Sequence, residues 1–191
     1  MPEGWELKVL GDLCNEVRVS VPPESVELDT PYIGLEHMPR RSISLNEWGR
    51  AEAVTSTKHR FLEGEILFAR IRPYFHKVGI AFVAGVVSSD AIVIRPKEAD
   101  LRGLVLMTVS SDPFVAVTAQ TMKEGSKMPR ADWKQMQAYP LLIPSNGLLN
   151  SFEHVIRNIV EQLKILTIAN LRLRTARDLL LPRLMSGEIE V

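Results

Sequence analysis

The sequence lacks the features that mark several classes of protein. It has one cysteine, Cys14, which excludes a disulfide framework and a cysteine-rich zinc site. The first residues show no basic stretch followed by an apolar run, so they do not predict a signal peptide. No apolar run approaches the roughly 18 residues that a membrane span needs. We therefore expect a cytoplasmic protein with no membrane segment.

Motifs of catalysis are also missing. There is no Gly-x-x-x-x-Gly-Lys-Ser/Thr phosphate loop and no dinucleotide-binding fingerprint. The histidines His37, His59, His76 and His154 form no His-x-x-x-His pair, and none lies at metal-ligand spacing from the cysteine. The sequence therefore predicts no catalytic residue, no metal site and no cofactor, which is the pattern of a protein that is not an enzyme.

Charge is balanced overall but unevenly distributed. The 191 residues include 23 Lys and Arg against 23 Asp and Glu, which excludes a uniformly basic coat. Residues 1–36 hold eight acidic against two basic side chains, whereas residues 57–80 hold five basic against two acidic, and residues 121–134 four against two. If the two basic segments share a face, that face attracts polyanions. The alternative is that they are ordinary solvated positions.

Residues 1–148 have the pattern of a mixed α+β domain with short strands. A helix is expected around Cys14 in residues 11–17, and a hairpin turn at 85–89. Asp112 and Pro113 predict the N-cap and first turn of a helix that runs to about residue 122, after a helix over 98–110. The predicted strands are 31–35, 65–71, 77–84, 90–95 and 139–143.

Residues 149–191 form a separate segment with a long helix and a short tail. No Gly or Pro occurs from Ser151, the predicted N-cap, to Leu181, and Pro182 is expected to end the helix. Steps of four and three residues predict a coiled-coil seam, in which a polar residue would fix the register. Because a lone helix of this length cannot be covered by its own domain, a second copy is the expected partner, although packing across its own sheet is the alternative. The seam consists of Phe152, Ile156, Ile159, Leu163, Leu166, Asn170 and Leu173.

Two polar segments have the residue types that bind DNA. Arginine pairs with guanine edges, Lys and Arg hold phosphates, and aromatic rings contact bases. Arg70 could instead be a core-edge arginine paired with a carboxylate, and Arg40 with Arg41 could add a third patch. The predicted DNA contacts are Arg70, Arg72, Tyr74, His76 and Lys77 in the first segment, and Ser126, Lys127 and Arg130 in the second.

Four stretches of the chain, in order, resemble the DNA-specificity subunit of type I restriction-modification systems. PEGWELKVLGDLC resembles the start of a target recognition domain, and FLEGEILFARIRPYFHKVGIA with SSDAIVIRP resembles its central strands. GSKMPRADW with YPLLIP resembles the segment that leads to the helix, and LRTARDLLLPRLMSGEIEV resembles the C-terminal end. The resemblance extends over nearly all 191 residues.

The resemblance implies a non-catalytic subunit that reads double-stranded DNA. A full specificity subunit has two target recognition domains, each followed by a long helix, so this chain resembles half of one. The family implies antiparallel helices that separate two readers of a bipartite site, an arrangement that a homodimer would restore. It also implies two partners, a methyltransferase subunit and a restriction (motor) subunit. A helical scaffold that does not read DNA is the alternative, and a stand-alone enzyme is a further one.

Overall fold

A computed structural model of the chain describes residues 2, 4–120 and 129–189. The chain divides into two compact units, Met1–Ile156 and Arg157–Val191. The first unit is a mixed α+β domain and the second is helical, so the predicted fold class is confirmed. The helices are α1 (Leu10–Leu13), α2 (Arg102–Val109), α3 (Asp112–Gln120), α4 (Trp133–Met136) and α5 (Asn146–Met185).

The strands of the described residues form two five-stranded sheets and one two-stranded ribbon. In chain order they are β1 (Glu6–Val9), β2 (Cys14–Val17), β3 (Ser20–Val21), β4 (Pro31–Ile33), β5 (Ser44–Leu45), β6 (Gly49–Arg50), β7 (Lys58–Phe61), β8 (Ile66–Ala69), β9 (Val78–Ala81), β10 (Gly85–Val87), β11 (Ala91–Pro96) and β12 (Pro140–Ile143). The first sheet has the order β2-β11-β8-β9-β5, and the second β3-β7-β10-β4-β6. The ribbon pairs β1 with β12 in antiparallel register.

The first sheet is buried on both faces, which explains its continuous apolar strands. Side chains alternate along a strand, so Leu67 of β8 joins the core that contains Ile33 and Phe61 of the second sheet. Phe68 points to the other face, where its ring meets Phe114 of α3 edge-on at 6.0 Å. An unbroken apolar run is the pattern of a strand covered on both sides, as predicted for residues 65–71.

Residues 14–17 are a strand, so the expected helix over 11–17 is wrong beyond Leu13. α1 ends there, and β2 pairs antiparallel with β11, placing Cys14 opposite Pro96. Pairing with β11 satisfies the backbone groups that a further helical turn would otherwise have satisfied. Cys14 is buried, and burial raises the pKa of its thiol to about 12. The thiol therefore stays protonated and serves packing.

The expected hairpin at residues 85–89 is also wrong. Gly85–Val87 form β10, which lies in the second sheet between β7 and β4. β9 and β11 do not pair with each other, because each pairs antiparallel with β8. The chain therefore leaves one sheet, adds a strand to the other and returns. Gly85 allows this close approach, since a Cβ there would lie 2.2 Å from the Pro31 carbonyl oxygen.

Helix α3 is capped one residue earlier than the sequence indicates. The Ser111 hydroxyl accepts a hydrogen bond from the Phe114 amide at 3.3 Å, and the Val115 amide donates to the Ser111 carbonyl. Asp112 is therefore the first residue of α3 rather than its N-cap. Because Asp112 does not cap the helix, its carboxylate is available for contacts with other segments.

Helix α5 exceeds the predicted 151–181 at both ends. Leu149 donates to the Ser145 carbonyl at 2.9 Å, and the Ser151 hydroxyl donates to the Gly147 carbonyl inside the helix. Pro182 lies within α5 and does not end it: proline lacks an amide hydrogen to donate, yet the helix continues to Met185, and the Ser186 amide donates to the Pro182 carbonyl at 3.0 Å. The 40 residues span about 60 Å.

Within the first unit, the start of α5 is fastened to α2 by a buried carboxylate. Glu153 accepts hydrogen bonds from the Gly103 amide at 2.9 Å and the Leu104 amide at 2.7 Å. These are amides that the first turn of α2 leaves without intrahelical partners. A Cβ at Gly103 would lie 2.9 Å from Glu153 Oε2 and from Ile156 Cβ, so the close approach needs glycine.

Among the described residues, no single helix has both the length and the apolar character of a membrane span. The bent pair Ala99–Val109 and Asp112–Gln120 meets that test only when its two parts are joined.

Candidate nucleic-acid interface

The turn between β8 and β9 has an unusual backbone. Residues Pro73–Phe75 form a 3-10 turn, flanked by Arg72 at φ 49° and His76 at φ 52°. The third non-glycine residue with positive φ in the described chain, Arg41, donates its amide to the His76 carbonyl at 2.9 Å. Left-handed backbone costs an L-residue about 1–2 kcal/mol. All three such residues therefore meet at one place, and strain of this kind concentrates at functional sites.

An arginine–aromatic patch covers the outer side of this turn, and we define it as Arg40, Arg41, Arg72, Tyr74 and Phe75. The Arg40 guanidinium lies 4.1 Å from the centroid of the Phe75 ring, and that of Arg72 lies 6.0 Å away. The Tyr74 and Phe75 rings meet edge-on at 4.9 Å. Exposed guanidinium groups held against aromatic rings suit contact with phosphates and bases.

His76 lies beneath the turn and is 8% exposed. Its Nε2 is 2.7 Å from the Ser110 carbonyl oxygen, and because a carbonyl oxygen can only accept, Nε2 donates this hydrogen bond. Its Nδ1 is 3.2 Å from Asp112 Oδ1, and the same oxygen accepts from Arg41 Nη1 at 2.8 Å. Both ring nitrogens of His76 therefore face protein oxygens, and in this conformation the side chain holds the turn rather than presenting itself to a ligand.

Arg41, His76, Ser110 and Asp112 also line a cleft of about 170 Å³ beside the patch. The cleft joins three segments of the first unit: the residues before β5, the β8–β9 turn, and the junction between α2 and α3. Asp112 links these segments, because its carboxylate contacts Arg41 before β5 and His76 in the β8–β9 turn.

Arg70 is directed into the protein, as its alternative interpretation expects. Its Nη2 donates to Glu16 Oε1 at 2.9 Å, and Arg18 pairs with the other oxygen of Glu16, also at 2.9 Å. The hydrogen bond and the charge of Glu16 raise the pKa of Arg18. Burial lowers the pKa of His59, and the charges of Arg18 and Arg70 lower it further, which favours a neutral imidazole.

Lys77 is half-buried, and its ammonium donates to the Leu35 carbonyl at 2.5 Å. The residue therefore ties the β8–β9 turn to the loop after β4. Arg72 and Tyr74 are exposed, and Arg70, His76 and Lys77 are engaged by protein groups. The sequence predicts all five residues as DNA contacts and does not distinguish the two exposed side chains from the three that bind protein groups.

The second predicted segment meets the first at Arg130. The Arg72 amide donates to the Pro129 carbonyl at 3.0 Å, and the Ala131 amide donates to the Arg70 carbonyl at 2.8 Å. The Arg130 side chain pairs with Asp90 at 3.0 Å. The two basic segments therefore approach each other at this residue, whereas Ser126 and Lys127 lie outside the described residues.

The predicted seam on α5 spans both units. Phe152, Ile156 and Leu163 are half-buried. Ile159, Leu166, Asn170 and Leu173 are exposed, the two leucines by 59% and 67%. Large apolar side chains at these positions are available to another helix.

Three residues of the site were not identified from the sequence as site residues. The sequence predicts Asp112 as a helix cap and Asp90 as the first residue of a strand, and Phe75 is not among the predicted DNA contacts. Their roles depend on contacts with Arg41, Arg130 and Arg40, which are distant in sequence. Within the part of the chain that the structure describes, no group of three or more His, Cys, Asp or Glu side chains could hold a metal ion.

The comparisons with known proteins agree on one group. No protein-family model matches the sequence. A stretch of 46 residues is 46% identical to the type I restriction enzyme EcoDI specificity subunit of Escherichia coli, covering 24% of this chain and 10% of that protein.

Similar solved structures cover almost the whole chain. The HsdS subunit from Thermoanaerobacter tengcongensis has a TM-score of 0.66 at 15% identity over 94% of this chain. A chain from a study of complex assembly in the type I R-M system has a TM-score of 0.63 at 16% identity over 93%. The type I restriction-modification S subunit from M. genitalium has a TM-score of 0.56 at 14% identity over 94%.

The chain spans about half the length of these similar structures, with 48%, 47% and 45% of them covered. The resemblance seen in the sequence is thus confirmed, and the chain has the fold of type I restriction-modification specificity subunits over about half of their length.

Proposed function

We propose that the chain is a sequence-specific DNA-recognition subunit of a type I restriction-modification system, reading one half of a bipartite site. The observation that carries the proposal is the arginine–aromatic patch on a strained turn, in a chain with the fold of specificity subunits. The role is non-catalytic, and it requires a methyltransferase subunit and a restriction subunit as partners.

In this proposal Arg72, Tyr74, Arg40 and Arg41 contact DNA directly. Their guanidinium groups and rings are exposed on one turn and its neighbouring loop. Arg130 lies at the edge of the same surface, and Ser126 and Lys127 remain predicted contacts from the sequence. Arg70, His76 and Lys77 then act by fixing the turn from within.

Pairing of two copies through α5 completes the proposal. The exposed apolar side chains of the seam suit a second α5, and identical readers would prefer an inverted-repeat site. A chain of about half the length of the similar structures would thereby present two reading domains.

The test is a nuclease- or methylation-protection assay on a random duplex pool, with the methyltransferase subunit present. A protected inverted repeat supports DNA reading by a symmetric dimer. Protection of no sequence above background would favour the alternative, a helical scaffold that does not read DNA. Methylation or cleavage by this chain without any partner would contradict the non-catalytic role.

A further inference from the structure

An exposed carboxylate lies within the surface that we propose faces DNA. The side chains of Asp112 and Arg41 are 67% and 68% exposed, and Arg40 and Arg72 are also exposed nearby. A negative group here repels phosphates and lowers affinity for any DNA. Capping of α3 does not account for Asp112, because the Ser111 hydroxyl accepts from the Phe114 amide.

Asp112 fixes Arg41 relative to the β8–β9 turn. Arg41 is bound at both ends, since its amide donates to the His76 carbonyl and its guanidinium donates to Asp112 Oδ1. The same Oδ1 lies 3.2 Å from the His76 ring. The position of the Arg41 guanidinium beside the turn that carries Arg72 is therefore set by this carboxylate.

We propose that Asp112 is a positioning residue for specificity, which withholds Arg41 from general phosphate contact and keeps it aligned with the turn. The inference rests on the proposed DNA-reading function. Cation–phosphate contacts strengthen binding to every sequence, whereas specificity depends on groups held in register with base edges. A restrained Arg41 lowers non-specific affinity and leaves target affinity largely intact.

The matched control is a pair of the same chemistry on α5. Arg177 Nη2 lies 2.7 Å from Asp178 Oδ1, and both side chains are 64% exposed. Arg41 Nη1 lies 2.8 Å from Asp112 Oδ1, with similar exposure of the two side chains. Asp178→Asn and Asp112→Asn change the charge of the molecule equally. A difference between the two variants therefore reports position and not net charge.

The experiment measures dissociation constants in the presence of the methyltransferase subunit. One duplex is the sequence that the wild-type chain enriches from a random pool, and the other is a random-sequence duplex of equal length. Asp112→Asn is expected to bind the random duplex about threefold to tenfold more tightly, with a salt dependence steeper by about 0.9 in log–log slope, as one added phosphate contact gives. The target-to-random affinity ratio falls by the same factor, and Asp178→Asn changes neither quantity.

Two further variants test the inference, and the first of them, Arg41→Gln, leaves Asp112 in place and so remains usable if Asp112→Asn does not fold. Arg41→Gln is expected to weaken target binding and leave the random duplex almost unaffected, because Arg41 is already withheld from phosphates. Arg41→Gln combined with Asp112→Asn is expected to lack the steeper salt dependence.

An unchanged affinity ratio and salt slope in Asp112→Asn, or an equal gain in Asp178→Asn, would overturn the inference. Equal losses on both duplexes in Arg41→Gln would also overturn it. These outcomes leave the proposed function intact, because the wild-type chain still enriches a sequence. Enrichment of no sequence by the wild-type chain would instead overturn both.

Discussion

The two units of the chain place the same kinds of side chain in opposite environments. In Met1–Ile156, Phe68 and Leu67 of β8 are at most 1% exposed, because one sheet face meets a second sheet and the other meets helices. In Arg157–Val191, Leu166 and Leu173 are exposed by 59% and 67%. The first unit thus has its own hydrophobic core, whereas the apolar stripe of the second remains available. Burial of that stripe is what the proposed pairing of two α5 helices would add.

The largest expected effect is on the free energy of unfolding, which should fall when a buried apolar side chain is removed and hardly change when an exposed one is removed. Phe68→Ala should lower the free energy of unfolding by about 3–5 kcal/mol, because it leaves a cavity beside Phe114. Leu173→Ala should change the unfolding of a dilute monomer by less than about 0.5 kcal/mol, since an exposed side chain loses little. Chemical denaturation at low protein concentration measures both. Similar losses in the two variants would remove the contrast.

The next effect concerns the exposed stripe alone. Ile159→Asp combined with Leu166→Asp should raise the dissociation constant of the proposed dimer by at least about a hundredfold, because two carboxylates would be buried between apolar surfaces. Folding of the single chain should persist, since both positions are exposed in it. Sedimentation velocity over a range of concentrations gives the measurement.

The control for the stripe is Gln162→Asp combined with Thr175→Asp. Both positions are exposed on α5 and lie outside the predicted seam. This variant adds the same charge and should leave the sedimentation profile unchanged. An identical profile for wild type and both variants would contradict the role of the seam.

A third experiment addresses the contact that fastens α5 to α2. Glu153→Ala should lower the free energy of unfolding by about 2–4 kcal/mol, because two amides of α2 lose charge-assisted hydrogen bonds in a buried place. Glu161→Ala, an exposed position on the same helix, should have little effect. Hydrogen exchange of α2 amides should rise only in the first variant. Equal stability of the two variants would show that the buried carboxylate is dispensable.

The smallest effect compares Arg70 with Arg72, two residues apart. Arg72→Asn should weaken DNA binding about tenfold with stability unchanged, since asparagine tolerates the left-handed backbone of this position. Arg70→Ala should instead lower stability by about 1–3 kcal/mol, because Glu16 loses a hydrogen-bonded partner. Filter binding and thermal unfolding distinguish the two results. Loss of DNA binding in a stable Arg70→Ala protein would reverse the assignment.

Much of the fold was predictable where one physical rule acts alone. The apolar run of β8 indicated a strand covered on both faces, and residues 139–143 indicated a strand that the structure places at Pro140–Ile143. Predictions failed where two local preferences are nearly equal, as at Cys14–Val17, where pairing with β11 replaces a helix. Residues 85–89 failed for a related reason, because β10 joins a different sheet.

The candidate site was predictable as a segment but not as a surface. Composition identified residues 70–77 as a candidate DNA-binding segment. The alternation of side chains along a strand does not predict which of them point outward, because Arg72 and His76 adopt left-handed backbone. The sequence predicts Asp112 as the N-cap of a helix, because a carboxylate directly before a proline is the usual local pattern of a helix start. Its partner Arg41 lies 71 positions away, and no local pattern links the two residues.

The sequence by itself determined the composition of the two units: short apolar strands that must be covered, one long helix with an apolar stripe, and a cluster of arginine and aromatic residues. These properties depend on the types and spacing of neighbouring residues, so they are visible without a fold. Only the tertiary structure decided which arginines point outward and which carboxylates hold them. The physical reason is that hydrogen bonds and ion pairs act over about 3–4 Å, and folding alone brings Glu16 to Arg70 and Asp112 to Arg41.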